Sequence, residues 1–418
     1  MSAPAPAAVA PAGKNADLAG EQVTCVPDAR ERGRDRSKRL NVALLAPPWI
    51  SVPPSGYGGI ELVISEVADT LVRHGHDVSL LAPPGSRSAA RVVPLLERSH
   101  PDQIGQTVFE VDHVGRALDV IDEAARRRRP FDIVHDHSGF ALVAIADRVG
   151  VPVLHTLHGP FTPEAKQFYA RHADKVWTTA LSQAQLDSGP AGLRCVAVIP
   201  NPIDLHTWTL QARKDDYLLW VGRMTAGKGA HRAIAVARDA GRRLVIAGPV
   251  QPGQRPYFES KVAPHIDGRS VRYIEQISGE DKRSLFANAA GLLMPIRWPE
   301  PFGMVMIEAL ACGTPVLAFA EGSAPEIVVD GESGFLVEDE REMAAAVGRL
   351  AQLDPRRCRA IVEERYDVEL VTSAYEAVYR QVIGAASNRR SAAETGPHAA
   401  RRRPGMSESV TEGSALQA

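Results

Sequence analysis

Short apolar runs recur along the chain, and between several of them lie stretches with the apolar spacing of a helix. The first is Leu40–Leu45, the kind of run a strand buried on both faces shows. After it, Leu62, Val63, Val67, Leu71 and Val72 form a helical stripe over Glu61–Arg73. Further strand-like runs follow at Asp77–Leu81, Phe131–Val134, Val151–Leu154, Lys175–Trp177 and Cys195–Ile199. Pro200-Asn201-Pro202 then breaks the pattern and opens a polar stretch to Asp216. The alternation restarts at Tyr217–Val221 and continues with strands at Arg243–Ala247, Val271–Ile274, Leu292–Met294 and Pro315–Phe319. Helices are expected near Lys228–Ala240, Gly279–Ala290, Gly303–Cys312, Glu340–Leu350 and Val368–Ile383. Two series of βα units predict an α/β protein of two Rossmann-like, doubly wound parallel-sheet domains facing each other across a cleft. The expected division is a leader over 1–38, a first domain over 39–200, a linker over 201–216, a second domain over 217–366, a last helix over 367–384 and a tail over 385–418.

Composition narrows the class. The chain has 418 residues, 44% hydrophobic, which is ample for two large cores, and a formal net charge of −2, which argues against a dedicated nucleic-acid binder. Cys25, Cys195, Cys312 and Cys358 are widely spaced with no CxxC pair, so they read as reduced thiols of a cytoplasmic protein rather than as a disulfide frame or zinc site. No apolar run approaches bilayer-spanning length, and Met1–Gly13 lacks the basic start of a secretion signal. The Ala/Pro-rich leader and the Ser/Gly/Arg-rich tail read as disordered. The charge-dense run Arg30–Arg39 reads either as a solvated leader or as a contact with nucleic acid or with anionic lipid at the inner membrane face.

The stretch Arg297–Leu310 places carboxylates at Glu300 and Glu308, on either side of a helix start. Pro299 and Pro301 keep the chain extended, and helix can run from about Gly303. Free amides at Gly303, Met304 and Val305 make an anion site flanked by two carboxylates, a pattern that suits a sugar joined to a phosphate. In Trp220–Gly229 an apolar strand ends in a Gly-rich loop. Arg223 offers a planar fork of donors and Lys228 a compact point charge, which suits a diphosphate. It is not a Walker loop. Gly58 and Gly59 precede the first helix and present amides to a diphosphate or sugar, although the GxGxxG spacing is missing. Glu61 has two readings, a ligand contact or an acidic first-turn residue. His158 ends one strand, and His135-Asp136-His137 ends another. The latter looks metal-like, but neighbouring residues on a strand point in opposite directions. Asp136 and His137 therefore read as acceptor-side wall.

The spacing E-x7-E from Glu300 to Glu308, with Pro301, Phe302 and Gly303 inside it and Ala309–Val316 after it, resembles the donor-sugar motif of retaining family-4 glycosyltransferases. Gly222-Arg223 with Lys228-Gly229 resembles the GR-x4-KG motif of the same family, Gly58-Gly59-Ile60-Glu61 its first-domain Gly loop, and His158 its Thr-x-His position. The resemblance spans about Leu40 to Ile383 and looks nearest to the branch holding avilamycin-type and pterin glucosyltransferases. It implies the GT-B fold, with the last helix crossing back onto the first domain. It also implies hexosyl transfer from a nucleotide-diphosphate sugar, UDP-sugar favoured, to a hydroxyl of a small metabolite, a lipid-linked sugar or a polysaccharide, without metal or other cofactor. The implied catalytic set is Glu300, His158, Arg223 and Lys228. The implied donor contacts add Gly58, Gly59, Phe302, Gly303, Met304, Val305 and Glu308, with Glu300 on sugar hydroxyls and Glu308 on the ribose. Rival readings are a GT-B-like sugar-nucleotide epimerase and a non-catalytic nucleotide-sugar-binding subunit.

Overall fold

A computed structural model describes residues 24–25, 39–56 and 58–395. The rest of the leader, Tyr57 and the tail from 396 lie outside the described residues, and so do most of the expectations made for the leader.

The first sheet contains β1 (Thr24–Cys25), β2 (Asn41–Leu45), β3 (Asp77–Ala82), β4 (Arg91–Pro94), β5 (Ile133–Asp136), β6 (Val153–Thr156), β7 (Trp177–Ala180) and β8 (Cys195–Val198). They run in the order β1-β8-β7-β6-β5-β2-β3-β4, all parallel. The second contains β9 (Tyr217–Val221), β10 (Arg243–Ala247), β11 (Val271–Ile274), β12 (Gly291–Met294), β13 (Val316–Phe319) and β14 (Gly334–Val337). Its order is β11-β10-β9-β12-β13-β14, again all parallel. In each sheet the chain winds outward one way, returns to the middle and winds outward the other way. Each therefore has a switch point, between β2 and β5 in the first and between β9 and β12 in the second, where ligands of such sheets sit at the strand carboxyl ends.

Helices cover both faces of both sheets. On the first sheet, α1 (Gly59–Arg73) shares one core with β2, β3 and the last helix, while α2 (Thr107–Arg126), α3 (Phe140–Ile145) and α4 (Pro163–His172) share the other. The short α5 (Gln183–Asp187) follows β7. On the second sheet, α6 (Ala230–Asp239), α7 (Arg255–Lys261) and α11 (Glu340–Val347) pack on one face. Helices α8 (Gly279–Asn288), α9 (Met304–Ala311), α10 (Ala324–Ile327) and α12 (Pro355–Arg365) pack on the other. The last helix, α13 (Val368–Thr395), lays Val371, Tyr375, Val378, Tyr379 and Val382 into the core of the first sheet. It thus crosses from the second sheet to the first, and it continues past 384, the end expected for it. The leader's Thr24–Cys25 pairs with Ala197–Val198 as an edge strand, a contact the sequence reading did not anticipate.

Candidate active site

The second-sheet half of the site is built on the loops after β9 and β12. Lys228 Nζ makes a tight ion pair with Glu300 Oε2, and Trp298 Nε1 donates to the same oxygen at 2.6 Å. The ammonium also lies 5.0 Å from the centre of the Trp298 ring. Burial pushes the Lys228 ammonium below its ordinary pKa, while Glu300 pulls it back up and the nearby Arg223 charge lowers it further. Lys228 precedes α6, which starts at Ala230 behind Gly229 rather than at Lys228 itself. The backbone of Glu300 is fixed from behind: its N–H bonds Trp298 O at 2.8 Å and its C=O accepts from Ser323 N. Gly322 makes that approach possible, since a Cβ there would stand 2.8 Å from the Glu300 N and O.

Helix α9 begins at Met304 with Gly303 as its cap, in the left-handed region at φ 87, and no side chain bonds its first amides. The helix is apolar and buried around Glu308. Burying a carboxylate costs heavily unless it is paired, and Lys282 Nζ meets Glu308 Oε1 at 2.6 Å. The other oxygen, Oε2, is buried without a partner, as is Arg223 Nε. Such buried groups ordinarily find a hydrogen-bond partner, so both atoms are available to a bound molecule or water.

Across the cleft, α1 also starts without a side-chain cap, behind Gly58. Gly59, its first residue, faces Met304, the first residue of α9: a Cβ on Gly59 would lie 3.7 Å from Met304 Cγ. Two uncapped helix amino ends, one from each sheet, therefore meet. Beside them opens a cavity of about 340 Å³ lined by Gly59, Glu61, His137, His158 and Arg223 among others. Glu61 is buried, and burial pushes its carboxyl up to about 7.

The histidines form a chain along the carboxyl ends of β5 and β6. His137 Nδ1 and His158 Nε2 share a hydrogen bond of 2.7 Å, so one ring donates and the other accepts. Burial pushes His158 down to about 3 and His137 well below its ordinary range, which keeps both rings neutral at pH 7. His137 Nε2 is buried without a partner. His135 points the same way as His137 but is spent on structure, bonding Tyr379 of α13 and Thr156, each at 2.7 Å.

Two expected contacts are placed differently. Asp136 is fully buried: Oδ1 accepts from Ser138 N and Oγ, and Oδ2 holds His155 Nδ1 at 2.8 Å. It orients the cavity wall rather than facing the cavity. The Phe302 side chain is buried against Tyr366, with ring centres 5.7 Å apart, and reaches the site only through its backbone. Conversely, Trp298's bond to Glu300 and Lys282's bond to Glu308 carry the geometry but escaped sequence reasoning, because no fixed spacing announces them. Among the described residues no group of three or more His, Cys, Asp or Glu is placed to hold a metal ion, and no helix is long and apolar enough to cross a membrane.

Two family models tile most of this architecture: "Glycosyltransferase Family 4" over residues 57–207 and "Glycosyl transferases group 1" over residues 206–366. The chain is similar to the glycogen synthase of Mycobacterium tuberculosis, 26% identical over 78% of this chain and 92% of that one. It is also similar to the D-inositol 3-phosphate glycosyltransferase of Pseudarthrobacter chlorophenolicus, 27% identical over 68% of this chain and 80% of that one. Among solved structures it resembles AviGT4, a glycosyltransferase involved in avilamycin A biosynthesis, with a TM-score of 0.64 and 28% identity over 82% of this chain and 98% of that one. With its two facing parallel sheets, the chain belongs to the family-4, group-1 glycosyltransferases of GT-B fold, enzymes that transfer a hexosyl unit from a nucleotide sugar to a hydroxyl acceptor.

Proposed function

We propose that this enzyme transfers hexose, from a UDP-sugar such as UDP-glucose, with retention of anomeric configuration. The observation that carries the reading is the meeting of the α1 and α9 amino ends beside Arg223 and the Lys228–Glu300 pair. A diphosphate between those helix ends gains two dipoles and two cations, and the gain grows as the leaving group takes up charge. Glu308, with Oε2 unspent, suits a ribose hydroxyl, and Glu300, whose Oε1 takes no hydrogen bond among the described residues, suits a sugar hydroxyl. The acceptor hydroxyl enters from the first-domain cavity. The bond from the anomeric carbon to the diphosphate oxygen breaks and the bond to the acceptor oxygen forms on the same face. The acceptor proton passes to the departing diphosphate. His158 and His137, held neutral, serve this as hydrogen-bonding groups and not as cations. Closure of the cleft keeps water, which would waste the donor, from the anomeric carbon.

The purified protein incubated with UDP-, GDP- and ADP-sugars tests the reading through slow donor hydrolysis. UDP release from a UDP-hexose is expected. A new sugar epimer would point to an epimerase, and binding without turnover to a non-catalytic subunit.

A further inference from the structure

Glu300 has one oxygen to offer a sugar, because the protein uses the other. Oε1 takes no hydrogen bond among the described residues, while Oε2 takes both Lys228 Nζ and Trp298 Nε1. The two partners differ in kind. Lys228 is a point charge on a flexible stem, and a diphosphate arriving beside it would draw that charge toward itself. Trp298 is rooted. Its ring is half-buried and packs on the core shared by α8, α9 and α12. Pro299 follows it and holds its backbone out of the helical region. The N–H of Glu300 bonds Trp298 O at 2.8 Å, and the indole bonds the Glu300 carboxylate at 2.6 Å, so the two residues are tied twice. One residue back, the N–H of Arg297 bonds Gly227 O at 2.9 Å, which stitches this loop to the Gly-rich loop that carries Lys228.

A carboxylate held by the lysine alone would lose its fixed point at the moment the donor binds. Its side chain has rotamers to spare, and it would be free to follow the cation toward a diphosphate whose charge repels its own. The indole N–H is neutral and does not move with the cation. We propose that Trp298 is a positioning residue of the donor site: it keeps Glu300 Oε2 in place when Lys228 turns to the diphosphate, so that Oε1 stays available to a hydroxyl of the donor sugar. The proposal rests on the reading of Glu300 as the sugar contact. The same ring also serves the cation, since the Lys228 ammonium lies 5.0 Å from its centre. The N–H fixes the carboxylate and the ring face attracts the lysine, so phenylalanine in its place removes the first contact and keeps the second.

Calorimetry with UDP-glucose and with UDP, on the full-length wild type, W298F, E300A and W298F/E300A, tests this without requiring turnover. The ratio of the two dissociation constants separates the sugar's share of binding from anything a substitution does to the nucleotide. W298F is expected to weaken UDP-glucose relative to UDP by roughly tenfold, what one hydrogen bond to a charged group supplies, while UDP itself binds within about twofold of wild type. In E300A the same substitution should change the ratio no further. An unchanged ratio in W298F overturns the proposal. So does an equal drop with and without Glu300, since the ring would then only fill space between the two loops. A second measurement uses the unsubstituted chain, isotope-labelled at its tryptophan nitrogens: the indole N–H resonance of Trp298 should keep its hydrogen-bonded position when UDP-glucose binds. A move to the position it has in E300A overturns the proposal, because Glu300 would have left the indole with the lysine. A protein that shows the coupled ratio yet releases nucleotide from no sugar donor would defeat the transferase reading while leaving this one standing.

Discussion

At the scale of single residues, one oxygen joins three parts of the site. Glu300 Oε2 takes both Lys228 and Trp298 Nε1, so the carboxylate that would hold the sugar also holds the cation that would meet the diphosphate. The pair is mostly buried, with side-chain exposures of 18% and 13%, so losing one partner leaves a charge in a poor solvent. Glu300→Gln keeps the shape and leaves Lys228 uncompensated, and kcat is expected to fall by about a hundredfold with nucleotide affinity little changed. Lys228→Ala should lower kcat/KM by roughly 2–4 kcal/mol. The double variant should cost clearly less than the sum, because each single change already disables the other residue. Strict additivity in steady-state kinetics would mean that the two act separately. The backbone settings of Glu300, Glu308, Arg223 and Lys228 are legible in the sequence because they are local: a proline-held loop running into a helix, and a Gly-rich turn. Asp136, expected on the acceptor-side wall, lies behind it, because its partners His155 and Ser138 are set by strand pairing and a local turn that the residue pattern alone does not disclose.

At the scale of elements, five strands of the second sheet are legible almost to the residue and β14 is not, whereas β5, β6 and β7 each begin two residues later than the apolar runs suggest. Those runs start with Phe131, Val151 and Lys175, and the sheet instead pairs the polar ends, taking His135, Asp136, His155 and Thr156 into buried strand positions. Only mutual hydrogen bonding makes that tolerable, which periodicity cannot express. Helix α1 holds a second surprise, since burial pushes the Glu61 and Glu66 carboxyls up to about 7 and about 8; at Glu66 a hydrogen bond from the Asp204 backbone offsets part of the rise and the Glu308 charge adds to it. A carboxyl raised by folding favours the native state while protonated. That contribution is full below the unfolded pKa, near 4.5, and is lost as pH rises to about 7–8. Buried His113, His135 and His137 and half-buried His158, all lowered, act oppositely below about 6.5, so the wild-type curve alone is ambiguous. The contrast with Glu61→Gln isolates the term. The variant should melt several degrees above wild type at pH 8, and the gap should close toward pH 5. A gap independent of pH would show that Glu61 titrates normally.

At the scale of the molecule, two sheets with separate cores are joined by few but specific links. The linker bridges α13, with Ile203 N bonding Tyr366 O at 2.9 Å and Val368 N bonding Ile203 O at 3.2 Å. Helix α13 then returns to the first sheet, where His74 Nε2 meets Glu369 Oε2 at 2.7 Å and Glu376 takes both His74 and His76. On the cleft side, Ser182 Oγ donates to Pro301 O at 2.8 Å, one residue from Glu300. Glu326 of α10 receives the amides of Gln183 and Ala184 from the first domain at 2.9 and 2.8 Å. Glu326 thus acts as a carboxylate seated on the amino end of α5, and it ties the second domain to the first. Glu326→Ala leaves both cores untouched, so the melting temperature should hold within a few degrees, while the cleft should stand open more of the time. An open cleft admits water, so donor hydrolysis should rise relative to transfer, by several-fold with a saturating acceptor, and small-angle scattering of the donor-bound enzyme should give a larger radius of gyration than wild type. Glu326→Gln, which keeps the acceptor oxygen but not the charge, should fall between the two. If the hydrolysis-to-transfer ratio and the scattering both match wild type in Glu326→Ala, this link does not govern closure, and the return of α13 onto the first sheet is left as the element that sets the angle between the two halves.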